Sequence, residues 1–135
     1  MNIKLINAVI DCLGYENQND PDCIEDMKNI NSYGIDGGFG GFVYYHETSK
    51  FFDDNRNLII DLAREQSEDF GVGMLEMIQG FNCFKNYHIP IDEIGEVIFG
   101  NNTDDLENAV TIKNALSWYA GEEVSRHIID EMEDA

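Results

Sequence analysis

The chain has 135 residues, with 27 Asp or Glu against 8 Lys or Arg and a formal net charge of −19. At this length one domain is expected, and a hydrophobic fraction of 43% supplies a core rather than a disordered acidic tail. So negative a chain argues against direct binding to DNA, RNA or an anionic membrane, since phosphate recognition is carried by Lys and Arg.

The start, Met1 to Asp11, has a short apolar stretch interrupted by Asn2, Lys4, Asn7 and Asp11, unlike a secretory leader. No run approaches the length of a membrane span. Cys12, Cys23 and Cys83 form no CxxC pair, and their odd number fits reduced, buried thiols and a cytoplasmic protein.

Taken in order, Lys4 to Leu13 reads as a helix ended near Gly14. Asp20-Pro21 then reads as an N-cap with proline in the first helical position, opening a short helix through Cys23, Ile24 and Met27 that stops before Gly34. Residues 34–41 hold five glycines in eight positions, which excludes a stable helix there. Two readings of 42–45 stay open, a short β element or a packed lead-in to the next helix.

Thr48 is a candidate N-cap for the clearest helix, which runs to about Phe70 with Gly71 just beyond. At about 100° per residue, Phe52, Ile59, Ala63 and Phe70 share one stripe, and Asp54, Asp61, Glu65 and Glu68 lie opposite. Met74 to Phe81 reads as a shorter helix and Asn82 to His88 as a loop. Pro90 or Asp92 opens another helix through Ile94, Val97 and Ile98, ended by Gly100. The last helix starts near Thr103 and runs to Met132, with an irregularity expected before Thr111. Its apolar residues, from Ile112 to Ile129, cover most of the circumference, the mark of a central helix. The expectation is a mainly α, compact single-domain bundle over residues 1–135, built around this C-terminal helix.

Few motifs carry chemistry. Gly37 to Gly41 match neither a P-loop nor a dinucleotide fingerprint, and fit tight backbone packing or a turn. His46, His88 and His127 form no His-Glu-x-x-His, and the four-residue step from Glu123 to His127 is not the Glu-x-x-His of di-iron bundles. No cofactor and no metal site is assigned. Glu122, Glu123, Arg126, His127 and Asp130 interrupt the apolar final helix, with Glu122–Arg126 and Arg126–Asp130 at i,i+4 spacing. If that turn is buried, its charges must pair, because an unpaired buried charge costs several kcal/mol. An enzymatic or metal pocket on Glu122, Glu123 and His127, joined by His46, is the alternative to structural pairing. Ser125 has no partner geometry for a nucleophile, since residues two apart on a helix face away from each other. The aromatics between Phe39 and Phe52 lack interleaved bases other than Lys50 and fit core packing better than base stacking.

The charge itself is the strongest functional signal. A globule of this length has a diameter of about 36 Å, and duplex DNA carries about 20 charges over that span. The protein's −19 is of the same order. Residues 1–100 hold 18 acids and 6 bases and residues 101–135 hold 9 and 2, so the charge belongs to the folded surface. Solubility alone is the competing explanation.

Two stretches carry a resemblance. Gly37-Gly-Phe-Gly-Gly-Phe-Val-Tyr-Tyr-His-Glu-Thr-Ser-Lys-Phe-Phe52 and Asn114-Ala-Leu-Ser-Trp-Tyr-Ala-Gly-Glu-Glu-Val-Ser-Arg-His-Ile-Ile-Asp130 together resemble a small phage-encoded family of unknown function. The resemblance implies a phage or mobile-element source and no assigned activity. Ser117 and Gly121 stand where the family pattern has alanine and a bulkier residue, so a looser helix is expected there. Small acidic phage proteins are often stoichiometric inhibitors of host nucleic-acid enzymes. The leading expectation is therefore a non-enzymatic anti-defence protein of anti-CRISPR or anti-restriction type, acting as a DNA mimic in the basic nucleic-acid channel of a host complex. Its partner-binding face would be Asp54, Asp61, Glu65 and Glu68, helped by Asp53, Asp104, Asp105 and Glu107. A phage binding module whose charge only confers solubility is the third reading.

Overall fold

The computed structural model describes residues 1–28, 45–80, 89–100 and 109–134. Among them are six helices and no strand: α1 (Ile3–Cys12), α2 (21–28), α3 (Tyr45–Phe70), α4 (Met74–Gln79), α5 (Ile91–Phe99) and α6 (Ala109–Asp134). The mainly α reading holds. Gly37 to Gly41, residues 42–44, Cys83, His88 and the segment 101–108 lie outside the described residues, and with them the choice of a strand at 42–45 and the start expected at Thr103.

Local chemistry explains most boundaries. Asn2 caps α1 by accepting the Lys4 amide at 2.8 Å, and Gly14, at φ +91°, turns the chain out of the helix as expected. Asp20 caps α2 through the Asp22 amide at 2.9 Å, directly before Pro21. Gly71, at φ +69°, closes α3: its amide donates to the Glu68 carbonyl at 3.1 Å, and the Val72 amide donates to the Ser67 carbonyl at 3.0 Å. That pair of bonds is a Schellman motif, and it needs a residue tolerant of positive φ. Pro90 opens α5, with Asp92 and Glu93 in its first turn, where carboxylates suit the positive end of the helix dipole.

One expectation for α3 is corrected. The helix starts at Tyr45, so Thr48 lies within its first turn rather than capping it. The helix also carries a kink. Asn55 leaves helical geometry at φ −125° and ψ 22°, and its side-chain amide donates back to the Phe51 carbonyl at 3.0 Å. Asparagine competes with the backbone in this way, and here it heals a kink.

The longest interface joins α3 to α6. Lys113 meets Asp53 in the N-terminal part of each helix, and Glu123 meets Gln66 further along both, so the two helices run in the same direction. Asp11 and Cys12 share a cleft with Lys50 and Asp54, whereas Met1 shares one with Leu62 and Asp69. Helix α1 is therefore antiparallel to α3. Arg56, just after the kink, donates to the carbonyls of Ile98 and Gly100. It places a cation on the otherwise unsatisfied C-terminal end of α5.

The centre of the bundle is α6, as expected. Ile112, Leu116, Ala120, Val124 and Ile128 are buried, and so are Asn114, Ser117 and Ser125 around the rest of the circumference. The helix runs unbroken through Ser117 and Gly121, so the looser stretch expected there does not appear. Phe52, Ile59 and Ala63 of α3 pack on this core, but Phe70 at the end of the same stripe is 70% exposed. The helix outruns the core it packs against.

Candidate functional site

The outer face of α3 divides at the kink. Beyond it, Asp61, Glu65 and Glu68 are all exposed, with Asp69 beside them. Only Asp61 of these has an ion pair among the described residues, an exposed contact with Arg64 at 3.4 Å. Before the kink, Asp54 is held by Lys50 one turn earlier, which pushes the Lys50 ammonium pKa up. Asp53 does not join the outward row. It turns toward α6 and accepts from Lys113 at 3.0 Å, a lysine only 7% exposed. Its first task is to neutralise a buried ammonium, because such a charge left alone is expensive. Asp104, Asp105 and Glu107 lie outside the described residues.

In the polar turn of α6, Glu122, Glu123 and His127 are half-buried and, with Arg126, each has an ion-pair partner. Arg126 bridges Glu122 at 3.1 Å and Glu123 at 2.7 Å. The expected Arg126–Asp130 pair is replaced by the Glu123 contact, and Asp130 is exposed. Glu123 also accepts from Gln66 Nε2 at 2.7 Å, while Gln66 Oε1 accepts from the Tyr119 hydroxyl at 2.6 Å. Burial, and next the Glu123 charge, push the Tyr119 hydroxyl pKa well up. His127 donates to Glu131 at 3.0 Å, one turn further on, rather than to Glu123. Ser125 donates to the Glu122 carbonyl at 2.8 Å, a helix-internal bond and not a catalytic one. Glu123 and His127 thus have separate partners. Among the described residues, no group of three or more His, Cys, Asp or Glu side chains is placed to hold a metal ion. His46 lies in the first turn of α3, where its side chain is outside the described residues.

The acidic row and the α6 turn nevertheless meet. A shallow cleft of about 300 Å³ is lined by Glu65, Gln66 and Asp69 from α3 and by Glu123, Arg126, His127 and Asp130 from α6. The few cations do little to offset this acidic face, because most of them are already engaged by groups of the protein itself. Lys50, Arg56, Arg64, Lys113 and Arg126 each contact a carboxylate or carbonyl of the protein itself. Asp69 and Gln66 were not singled out from the sequence. Gln66 sits three residues after Ala63, at the edge of the buried stripe, and that position was the available signal.

Elsewhere, Cys12 is partly exposed and Cys23 is buried, both as free thiols, and burial pushes the Cys23 pKa up, helped by Asp26. Tyr15 donates to Asp26 at 2.7 Å and ties the end of α1 to α2; this bond raises the Tyr15 hydroxyl to about 12. Among the described residues no helix is long and apolar enough to cross a membrane.

No curated protein and no solved structure matches the chain. A family model described as a domain of unknown function, DUF7222, matches residues 4–134. Those residues take in both stretches that carry the sequence resemblance, and the chain belongs to the DUF7222 family.

Proposed function

We propose that the protein is a non-enzymatic acidic binding module that occupies the basic nucleic-acid channel of a partner protein or complex by mimicking the phosphate charge of DNA. The observation that supports this reading most is the exposed row on the second half of α3. Asp61, Glu65, Glu68 and Asp69 fall within nine residues, or roughly 12 Å of helix. One strand of B-form DNA carries roughly three or four phosphates over that distance. With Arg64 counted against them, the four carboxylates give a net charge close to that of one strand. The phage setting implied by the sequence resemblance favours host nucleic-acid enzymes as partners, restriction and CRISPR effectors among them. That makes the protein an anti-defence inhibitor acting in the host cytoplasm.

Competition tests it. Partners captured from a bacterial lysate on the immobilised protein are challenged with duplex DNA at fixed salt. The expected result is release of the captured protein by DNA, and loss of capture in the Asp61→Lys/Glu65→Lys/Glu68→Lys variant. Capture that DNA does not displace contradicts mimicry.

The enzyme or metal-site alternative on Glu122, Glu123 and His127 gains no specific support, because Arg126, Gln66 and Glu131 already occupy those side chains.

A further inference from the structure

Helix α5 turns Ile94, Val97 and Ile98 into the core, and the flank beside them lines a groove. Ile91, Gly95 and Phe99 follow one another at four-residue steps, a row that runs along one helix face for roughly 12 Å. Leu75 of α4 closes the row from the side, and these four residues line a single groove of about 520 Å³ together with Asp92 and Glu96. Leu75 and Ile91 are half-buried, whereas Phe99 is 59% exposed.

Gly95 is the unexpected member. Glycine inside a helix is less favourable than alanine, and here neither the backbone nor the available space calls for it. Unlike Gly14 and Gly71 it has no positive φ, and a Cβ at this position would meet only Leu75 Cδ1, at an ordinary contact distance of 3.5 Å. Gly100 is different, since a Cβ there would collide with the Glu96 carbonyl oxygen. The fold explains Gly100 and leaves Gly95 unexplained. What Gly95 does is interrupt a ridge. Between Ile91 and Phe99 the row has a gap, and such a gap is the shape that admits a side chain from a facing helix.

Charge narrows the occupant. Asp92 and Glu96 stand one turn apart on the groove, both exposed, and among the described residues no Lys, Arg or His lines it. The helix dipole answers about half a charge in the first turn, at Asp92, and little at Glu96. Arg56 reaches Gly100 at the far end, but it is bonded to the Ile98 and Gly100 carbonyls and offsets the negative end of α5 instead. A second copy, itself carrying −19, would bring like charges against these two carboxylates. An apolar small molecule would leave them unanswered. A helix that presents an apolar knob flanked by Lys or Arg satisfies both the gap and the carboxylates.

We infer that the α4–α5 groove is a docking site for a basic amphipathic helix of a partner protein. One apolar side chain seats over Gly95 between Ile91 and Phe99, and flanking cations meet Asp92 and Glu96. The site lies on other helices than the acidic row of α3 and does not depend on DNA mimicry.

The probe is a helical peptide of roughly 18 residues, with a Leu stripe flanked by Lys, titrated into the isotopically labelled full chain and followed by amide NMR. Two control peptides replace Leu by Ser or Lys by Glu. The Leu/Lys peptide is expected to shift the amides of Leu75, Gly95 and Phe99 and to bind about tenfold more tightly than either control. Gly95→Leu fills the gap and should weaken binding about tenfold. Gly95→Ala should raise the melting temperature by about 3 °C and still weaken binding, so that a change favourable to the fold harms the site. Phe99→Ser, at an exposed position, should weaken binding several-fold with unchanged melting. Equal affinity for the Leu/Lys and Ser/Lys peptides overturns the inference, as does wild-type affinity in Gly95→Ala and Phe99→Ser. A dimer that Gly95→Leu abolishes overturns it too. The Asp61→Lys/Glu65→Lys/Glu68→Lys variant should keep the Gly95 shift; its loss would mean that the peptide reads α3 and would remove the groove. Captured partner that DNA does not displace contradicts mimicry alone and leaves the peptide result standing.

Discussion

Helices α3 and α6 are the same length, 26 residues each, and lie side by side, yet they are built to opposite plans. In α6, hydrophobic and small polar side chains are buried around nearly the whole circumference up to Ile129, and the carboxylates of Glu122 and Glu123 are tied up by Arg126 and Gln66. In α3, one stripe is buried and the opposite face carries carboxylates with few partners. Most of α6 is enclosed, which makes it the scaffold, although Arg126 and Asp130 reach the surface. Exposed acids contribute little to folding, so those on α3 are available for recognition.

The sharpest way to break this comparison is to change the two helices equally and compare stabilities. Leu116→Ala in α6 is expected to cost about 2–5 kcal/mol in chemical denaturation, because it opens a cavity where nothing can collapse. Glu65→Gln in α3 should stay within about 0.5 kcal/mol. Similar costs for both would end the division of labour.

The next effect belongs to the contact between the helices. Asp53→Ala removes the carboxylate that meets the buried Lys113 ammonium and should cost about 1–3 kcal/mol, less than for a fully buried pair because Asp53 itself is half-exposed. Lys113→Met should cost less than Asp53→Ala, since it removes the charge that needs a partner. The reverse order would mean that Lys113 is kept for its charge.

Tyr119 links the two plans through pH. Its hydroxyl is raised in the folded protein. The folded state therefore keeps a proton that the unfolded chain loses near the ordinary tyrosine value of about 10. Stability should fall as pH rises beyond that value. Tyr119→Phe should cost about 1 kcal/mol at neutral pH through the lost bond to Gln66, and it should flatten the alkaline fall. The part that remains includes Tyr15, which titrates up to about 12 and contributes a loss over the same rising limb.

The smallest effect has a telling sign. Glu68→Gln and Asp69→Asn remove carboxylates from the negative end of α3. Each should raise stability by a few tenths of a kcal/mol in thermal or urea unfolding. Acids that a fold carries at its own expense are candidates for use elsewhere.

Much of the fold was legible because its signals are local. Asp20-Pro21, Gly14, Gly71 and Gly100 stop or start helices through their own backbone preferences, and the apolar circumference of α6 is a property of one segment. The exposure of Asp61, Glu65 and Glu68 followed from periodicity in the same way. What escaped depends on neighbours distant in sequence. Asp53 was expected to help the acidic face, but the buried Lys113, 60 residues away, draws it toward α6. Phe70 obeys the stripe and is still exposed, because where a core ends is set by the other helices. The kink at Asn55 lies in a helical pattern that continues on both sides of it, so periodicity alone passes over it. The pairing of His127 with Glu131 instead of Glu123 turns on Gln66, which reaches Glu123 from α3.

The central claim is that α3's outer carboxylates are the working surface, and the salt dependence of partner capture tests it most directly. Capture by the wild-type protein should fall steeply from low to high salt, whereas the Asp61→Lys/Glu65→Lys/Glu68→Lys variant should fold normally and fail to capture the partner at any salt. Capture that is independent of salt, or that survives the charge reversal, would contradict the account.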